Sequence, residues 1–342
     1  MANLVLYKLN GPFSVTQNNR YSSLPRALWI EKQGVCALRS EKLSSLGADS
    51  VLVRARFGAI SRGTESLVLN GKVPPGESET MACPYQAGRF TFPVKYGYSV
   101  VGEVEVGPEP LVGRTVFCLH PHQSHFVVKT ADAHVVPPSI PPEQAVLAAN
   151  METALNIIWD AAILPGDRVA VFGAGVVGLL TAFLATRIIG TETSLVDINL
   201  GRSSTAAALG VAFVSPANAP RNCDVVINAS ASPAALDTAL ECAGYEGRIV
   251  EASWYGDKPA EIMLGRRFHS QRLSIVSSQV GGIAAARRSR WTFARRLNAA
   301  IALLADARLD ALFSGETSFD TLDQDYANII ASPSTLCHRI VY

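Results

Sequence analysis

Charge of one sign is what this 342-residue sequence most lacks: 30 Lys and Arg stand against 29 Asp and Glu, a formal net charge of +1. Without a basic excess nothing in the chain grips a phosphate backbone or an anionic bilayer, so neither nucleic acid nor a membrane surface is expected as a partner. Long apolar runs are missing too, the most apolar stretch, Val169 to Leu184, being short and studded with glycine. Met1 to Asn10 lacks the basic region, apolar run and small-residue cleavage site of a secretion signal, and a cytoplasmic protein is expected. The six cysteines (Cys36, Cys83, Cys118, Cys223, Cys242, Cys337) form no CxxC pair and no cysteine–histidine spacing of the structural zinc type, so they read as reduced thiols. No internal repeat or low-complexity tract occurs. The nearest thing to one is the basic run Arg287, Arg288, Arg290, Arg295 and Arg296, read as a solvated helix face or, alternatively, a contact for an anionic substrate tail.

What is present begins with length, because single cores stop growing at roughly 250 to 300 residues and this chain exceeds that. Two lobes with a cleft are expected. In the second half an apolar strand, Val169 to Phe172, runs straight into Gly173-Ala174-Gly175-Val176-Val177-Gly178. In a GxGxxG turn of this kind the first glycine permits the tight turn, the second lets backbone approach a pyrophosphate, and the third lets the next helix pack on the strand. A helix predicted over Leu179 to Ile189 would aim its N-terminal N–H groups at the phosphates. The next strand, Ser194 to Val196, ends in Asp197, whose carboxylate suits the adenosine ribose hydroxyls and repels a 2′-phosphate; NAD is therefore expected over NADP. Arg202, five residues on, is the nearby side chain able to receive such a phosphate. Further alternation follows: a helix to Leu209, strands at Ala212 to Val214 and Asp224 to Asn228, a helix over Ala234 to Cys242, and strands at Arg248 to Ala252 and Leu273 to Ser277. Six strands with intervening helices predict a parallel doubly wound sheet.

Upstream, Gly113-Arg114-Thr115-Val116-Phe117, Ser124 to Val128, Val135-Val136-Pro137-Pro138, Ala148 to Asn156 and Leu164-Pro165-Gly166-Asp167-Arg168-Val169 together resemble the medium-chain dehydrogenase/reductases, the alcohol dehydrogenase-like superfamily. The run Ile60-Ser61-Arg62-Gly63-Thr64-Glu65-Ser66-Leu67, with Val94 to Gly97 and the pair His120 and His122, looks closest to a branch similar to bacteriochlorophyllide a dehydrogenases. The resemblance implies an α/β chain with a GroES-like β domain carrying the substrate site, residues 1–147 and 285–342, and a Rossmann NAD-binding domain, residues 148–284. It also implies a homodimer paired through the last strand of the nucleotide domain, Leu273 to Ser278.

Departures from that family carry as much information as the matches. Most of its alcohol dehydrogenases hold a catalytic zinc with a cysteine opening C-G-[ST]-[DE], a Gly-His-Glu and a third position four residues before a threonine. Here those places fall on Arg62, on Tyr98 within Gly97-Tyr98-Ser99, and on Ala149 before Thr153, so no metal is expected. Hydride transfer then needs another group to polarise a carbonyl or hold an alkoxide, and the resemblance offers Arg62 as cation with Thr64 and Tyr98 as proton handlers. Thr153 would approach the nicotinamide. The family's relay histidine is Leu67 here, which leaves His120, His122 or Glu152 as substitutes. Structural alternatives stand beside these: Arg62 as an ion-pair partner of Glu65 or Glu152, Tyr98 as a packed aromatic, the histidines as core residues. The functions expected are NAD(H)-dependent alcohol/carbonyl oxidoreduction on a small molecule, reduction of a polarised C=C bond, or nucleotide binding without catalysis.

Overall fold

The computed structural model describes residues 24–342; Met1 to Asn10, read above for a leader, lies outside the described residues. The second half forms one parallel six-stranded sheet in the order Ala212–Val214, Glu192–Val196, Arg168–Phe172, Cys223–Asn228, Ala243–Glu251, Ser274–Ser277. Strand side chains alternate between faces, and the sequence uses both. Val169, Val171, Leu195, Val225 and Ile227 enter one core with the helices Ala148–Ala161 and Val176–Ala185, while Ala170, Phe172, Val196, Val226 and Ile249 enter a second with the helix Pro233–Cys242. The strands are apolar on both faces because helices cover both.

Element ends follow local chemistry. Gly175 caps the helix Val176–Ala185 from an extended conformation, so that helix begins and stops earlier at both ends than the sequence pattern suggests. Ser232 caps Pro233–Cys242 by accepting from the Ala235 N–H, with proline in the first turn, where no donor is needed. Helix Ala148–Ala161 ends at Ala162, an exposed alanine held at φ +53, the left-handed region that favours glycine.

The first half supplies two sheets. One runs Phe313–Ser318, Cys337–Val341, Ser50–Ile60, Val100–Val106, Thr115–Cys118, His134–Val135, with His125–Lys129 also on Ser50–Ile60. The other is the four-stranded Val35–Ser40, Arg26–Lys32, Val94–Lys95, Ala87–Gly88. Two strands from the C-terminal stretch thus extend a sheet begun near residue 50. The lobes share a core, since Ala59, Val101 and Phe117 belong to the same cluster as the first face of the parallel sheet.

The basic run divides. Arg287, Arg288, Arg290 and Arg295 are exposed, Arg287 over Trp159 and Arg295 over Trp291, but Arg296 is only 1% exposed. It turns inward to Glu152 (3.0 Å), Asn156 (2.6 Å) and the carbonyls of Val280 and Gly282, correcting the solvated-face expectation for that residue. Among the described residues no helix is long and apolar enough to cross a membrane.

Candidate functional site

At the head of the parallel sheet the three glycines have distinct steric roles. Gly173 sits at φ +100, and a Cβ there would stand 2.8 Å from the backbone of Ser230. A Cβ on Gly178 would stand 1.8 Å from the Gly173 carbonyl oxygen, so only glycine lets the helix start so close to the turn. Around Gly175 a Cβ would meet nothing within 4 Å; the open space lies beside the first turn of Val176–Ala185, where Val176, Val177 and Gly178 present N–H groups with no intrahelical acceptor. Asp197 stands over this turn. Its Oδ2 accepts from Ala174 N (2.6 Å) and its Oδ1 from Asn199 N (2.7 Å), leaving about two lone-pair sites for a ligand's hydroxyls. These residues fit a dinucleotide. Arg202 is differently engaged: its guanidinium donates to the carbonyls of Pro333 (2.7 Å), Ser334 (3.0 Å) and Thr335 (3.3 Å). Thr153, half-buried on Ala148–Ala161, donates to the Ala149 carbonyl at 3.0 Å.

A second constellation gathers around the helix Arg62–Leu69. Its first-turn carboxylate, Glu65, is fully buried; Oε1 accepts from Ser61 N (2.6 Å), while Oε2 meets Tyr326 Oη (2.5 Å) and His122 Nε2 (3.0 Å). That carboxylate ties two distant stretches of chain to the start of the helix. Gly97, at φ +123, crosses the His122 ring where a Cβ would come within 2.8 Å, and this close crossing seats Tyr98. Burial first, then the Glu65 charge, pushes the Tyr98 phenol above its ordinary range, and hydrogen bonds with Ser61 and Thr64 pull only partly against them. The phenol keeps its proton at neutral pH.

The structure brings Tyr98, Thr64 and Ser61 together, but it sets Arg62 to one side. Arg62 Nε donates to the Ile330 carbonyl at 3.1 Å, on the C-terminal helix Leu322–Ala331, and its charge reaches Arg202. Neither structural partner considered for it is available, since Glu65 is held by His122 and Tyr326 and Glu152 by Arg296. His120 and His122 do not converge. His120 stacks on Phe126 at 4.0 Å, and burial lowers its pKa to about 3. Among the described residues no three His, Cys, Asp or Glu side chains gather as a metal site. Glu152 is raised by burial and held down by Arg296, its buried partner.

Sequence reasoning passed over Glu65 as a site residue, because it stands four residues after Ser61 and not the three of a capping box. It also passed over Glu251, the last residue of its strand, which bonds Asn228 Nδ2 (2.7 Å), Tyr255 Oη (3.2 Å) and Ser253 N (2.8 Å). The signal was the one that singled out Asp197, an acid closing an apolar strand. Leu67 packs against the loop after Tyr255, where a Cβ on Gly256 would lie 3.0 Å from it.

No family model matches the chain. A zinc-type alcohol dehydrogenase-like protein of Haemophilus influenzae is 28% identical over 145 residues, 39% of this chain and 40% of that protein. The D-xylulose reductase A of Aspergillus oryzae is 28% identical over 128 residues, 36% of each chain. The matched region thus spans well under half the length of these relatives. L-Idonate 5-dehydrogenase of Escherichia coli superposes with a TM-score of 0.77 at 16% identity, covering 93% of this chain and 98% of that one. An Escherichia coli alcohol dehydrogenase bound to NADH gives 0.74 at 17% identity, covering 93% and 99%. The fold is that of the medium-chain alcohol dehydrogenases, and over the matched region the sequence is similar to zinc-type alcohol dehydrogenase-like proteins.

Proposed function

We propose that the protein is an NAD(H)-dependent oxidoreductase that interconverts a small alcohol and its carbonyl compound without a catalytic zinc. The observation that carries the reading is the pairing of the open glycine turn with Asp197, a dinucleotide cradle with a carboxylate where a 2′-phosphate would otherwise lie. Gly173, Gly175, Gly178 and the first N–H groups at Val176 and Val177 would hold the pyrophosphate, Asp197 the adenosine ribose, and Thr153 the nicotinamide side. A nicotinamide supplies the site for hydride. The side chains at the family's ligand positions do not fit zinc: Arg62 is a cation, Tyr98 keeps its proton, and Ala149 offers a methyl group.

Proton handling then falls to the hydroxyl cluster. Tyr98 holds a proton at Oη, with Ser61 and Thr64 as its hydrogen-bond partners, and Glu65 fixes Ser61 through its backbone N–H. In reduction Tyr98 Oη donates its proton to the carbonyl oxygen and is reprotonated from solvent through Ser61 or Thr64; in oxidation Oη takes the alcohol proton as it hands its own to one of those hydroxyls and on to solvent. Arg62 adds positive potential to the cleft from the nucleotide side and steadies the developing charge at longer range. A homodimer joined through the sheet edge Ser274–Ser277 completes the proposal.

Titration with NADH and NADPH tests the cofactor, followed by a panel of carbonyl compounds monitored by loss of reduced-nicotinamide absorbance. The reading predicts NADH binding at least about tenfold tighter than NADPH, about 1.4 kcal/mol, and turnover with one substrate class. Equal affinities would overturn the cofactor assignment.

A further inference from the structure

The parallel sheet consists of two halves of three strands each, in chain order Arg168–Phe172, Glu192–Val196 and Ala212–Val214, then Cys223–Asn228, Ala243–Glu251 and Ser274–Ser277. In the first half, Asp197 follows the second strand. In the second half, Glu251 closes the second strand, level with Val196 and one residue short of Asp197, so the two carboxylates stand at the same end of the sheet. Register puts them at one edge: Val196 pairs with Phe172, Phe172 with Asn228, and Asn228 with Glu251. Three strand spacings separate them, about 14 Å, and the crevice where strand order reverses, with the glycine turn at its mouth, lies between.

Glu251 is also built as an acceptor. Ser253 N holds Oε1 at 2.8 Å; Asn228 Nδ2 and Tyr255 Oη hold Oε2 at 2.7 and 3.2 Å, and Asn228 Nδ2 reaches Tyr255 Oη at 3.1 Å. Three contacts leave about one of a carboxylate's four lone-pair sites unused. Asn228 is fully buried, Glu251 half-buried, and burial first, then the Glu251 charge, pushes the Tyr255 phenol above its ordinary range. On the far side the loop is fixed against the first lobe. Gly256, at φ +64, crosses Lys72 where a Cβ would stand 2.6 Å from the Lys72 carbonyl, and Lys72 pairs with Asp257 at 3.4 Å. The cluster therefore stands where the two lobes meet.

We propose that Glu251, held by Asn228 and Tyr255, accepts a hydrogen bond from the hydroxyls of the second ribose of a dinucleotide, the counterpart of Asp197 at the adenosine ribose. This rests on the dinucleotide reading given above. It makes the chain grip both riboses by carboxylate, and Asn228 and Tyr255 are positioning residues for the second.

Calorimetric titration with AMP, ADP-ribose and NADH separates the two ends, because AMP carries only the first ribose. In Glu251→Gln, AMP affinity stays within about twofold of wild type while ADP-ribose and NADH weaken about tenfold, the size of one hydrogen bond to a charged acceptor. Tyr255→Phe gives the same pattern at about threefold, whereas Asp197→Ala weakens all three ligands. The ratio of ADP-ribose to AMP affinity on a single sample is insensitive to unfolded protein. Glu251→Asp, which withdraws the oxygens by one methylene, lowers the same ratio and decides the matter if Glu251→Gln fails to fold. An unchanged ratio in the folded variants overturns the assignment of Glu251 alone. A wild-type protein that binds none of the three ligands overturns the dinucleotide reading as well.

Discussion

The two ends of the proposed site are built on opposite plans. The end proposed for the nucleotide is a backbone device in which glycines clear space, a helix start offers N–H groups, and one carboxylate is steered by main-chain donors. The hydroxyl end is a side-chain device: Tyr98 depends on Ser61 and Thr64, Ser61 on Glu65, and Glu65 on His122 and Tyr326 from far along the chain. A backbone device is written in a few adjacent letters, whereas a side-chain device is spread over some 260 positions, |i−j| being 261 for Tyr326 and Glu65. Substitutions should therefore act differently at the two ends.

The largest effect is expected where neither plan applies. Arg296→Leu strands Glu152 as a buried unpaired carboxylate, and chemical denaturation should show a loss of about 3 to 5 kcal/mol. A loss below about 1 kcal/mol would mean that the pair only decorates the core. Next comes the hydroxyl end. Tyr98→Phe should cut turnover about 10- to 100-fold with NADH affinity intact. Because burial holds the wild-type phenol above the usual tyrosine pKa of about 10, carbonyl reduction should show no falling limb from this group below about pH 10. The sign follows from protonation: the acid form is the donor, and a raised pKa extends its range upward. A limb centred near pH 7 that vanishes in Tyr98→Phe would contradict the burial argument.

At the nucleotide end the effect is smaller and selective. Asp197→Ser should shrink the preference for NADH over NADPH from about tenfold to about threefold or less, with little change in melting temperature. An unchanged preference in paired titrations would move the discrimination elsewhere, with Arg202 the first side chain to examine. Smallest is a purely local change away from both ends. Ala162→Gly relieves a left-handed alanine at an exposed helix end and should stabilise the protein by about 0.5 to 1 kcal/mol. Destabilisation in the same denaturation assay would show that the φ at this position carries no strain.

This contrast also explains what the sequence disclosed. The six parallel strands, the glycine turn and Asp197 were legible because each depends on neighbours in the chain: an apolar run, a turn at its end, an acid after it. Helix limits were less so, since Gly175 as a cap moved the start of Val176–Ala185 earlier than hydrophobicity alone suggests. At the hydroxyl end the residue types were legible and their grouping was not. Arg62 and Tyr98 are neighbours only by analogy with a metal site, and in the fold the Ile330 carbonyl draws Arg62 away while Gly97 crosses the His122 ring just before Tyr98. Arg296 was read as a surface charge from its basic neighbours, yet its place on the inner face of Phe293–Ala302 turns it toward Glu152. Pairings between residues more than a hundred positions apart have no local signature.

The central claim is that a phenol and two hydroxyls replace a metal, and one measurement tests it most directly. Turnover of a carbonyl substrate with NADH is compared before and after exhaustive dialysis against a strong chelator, with metal content read on the same samples. The account predicts an unchanged rate and far less than one zinc per chain. A rate that collapses on dialysis and returns with one equivalent of zinc would contradict it.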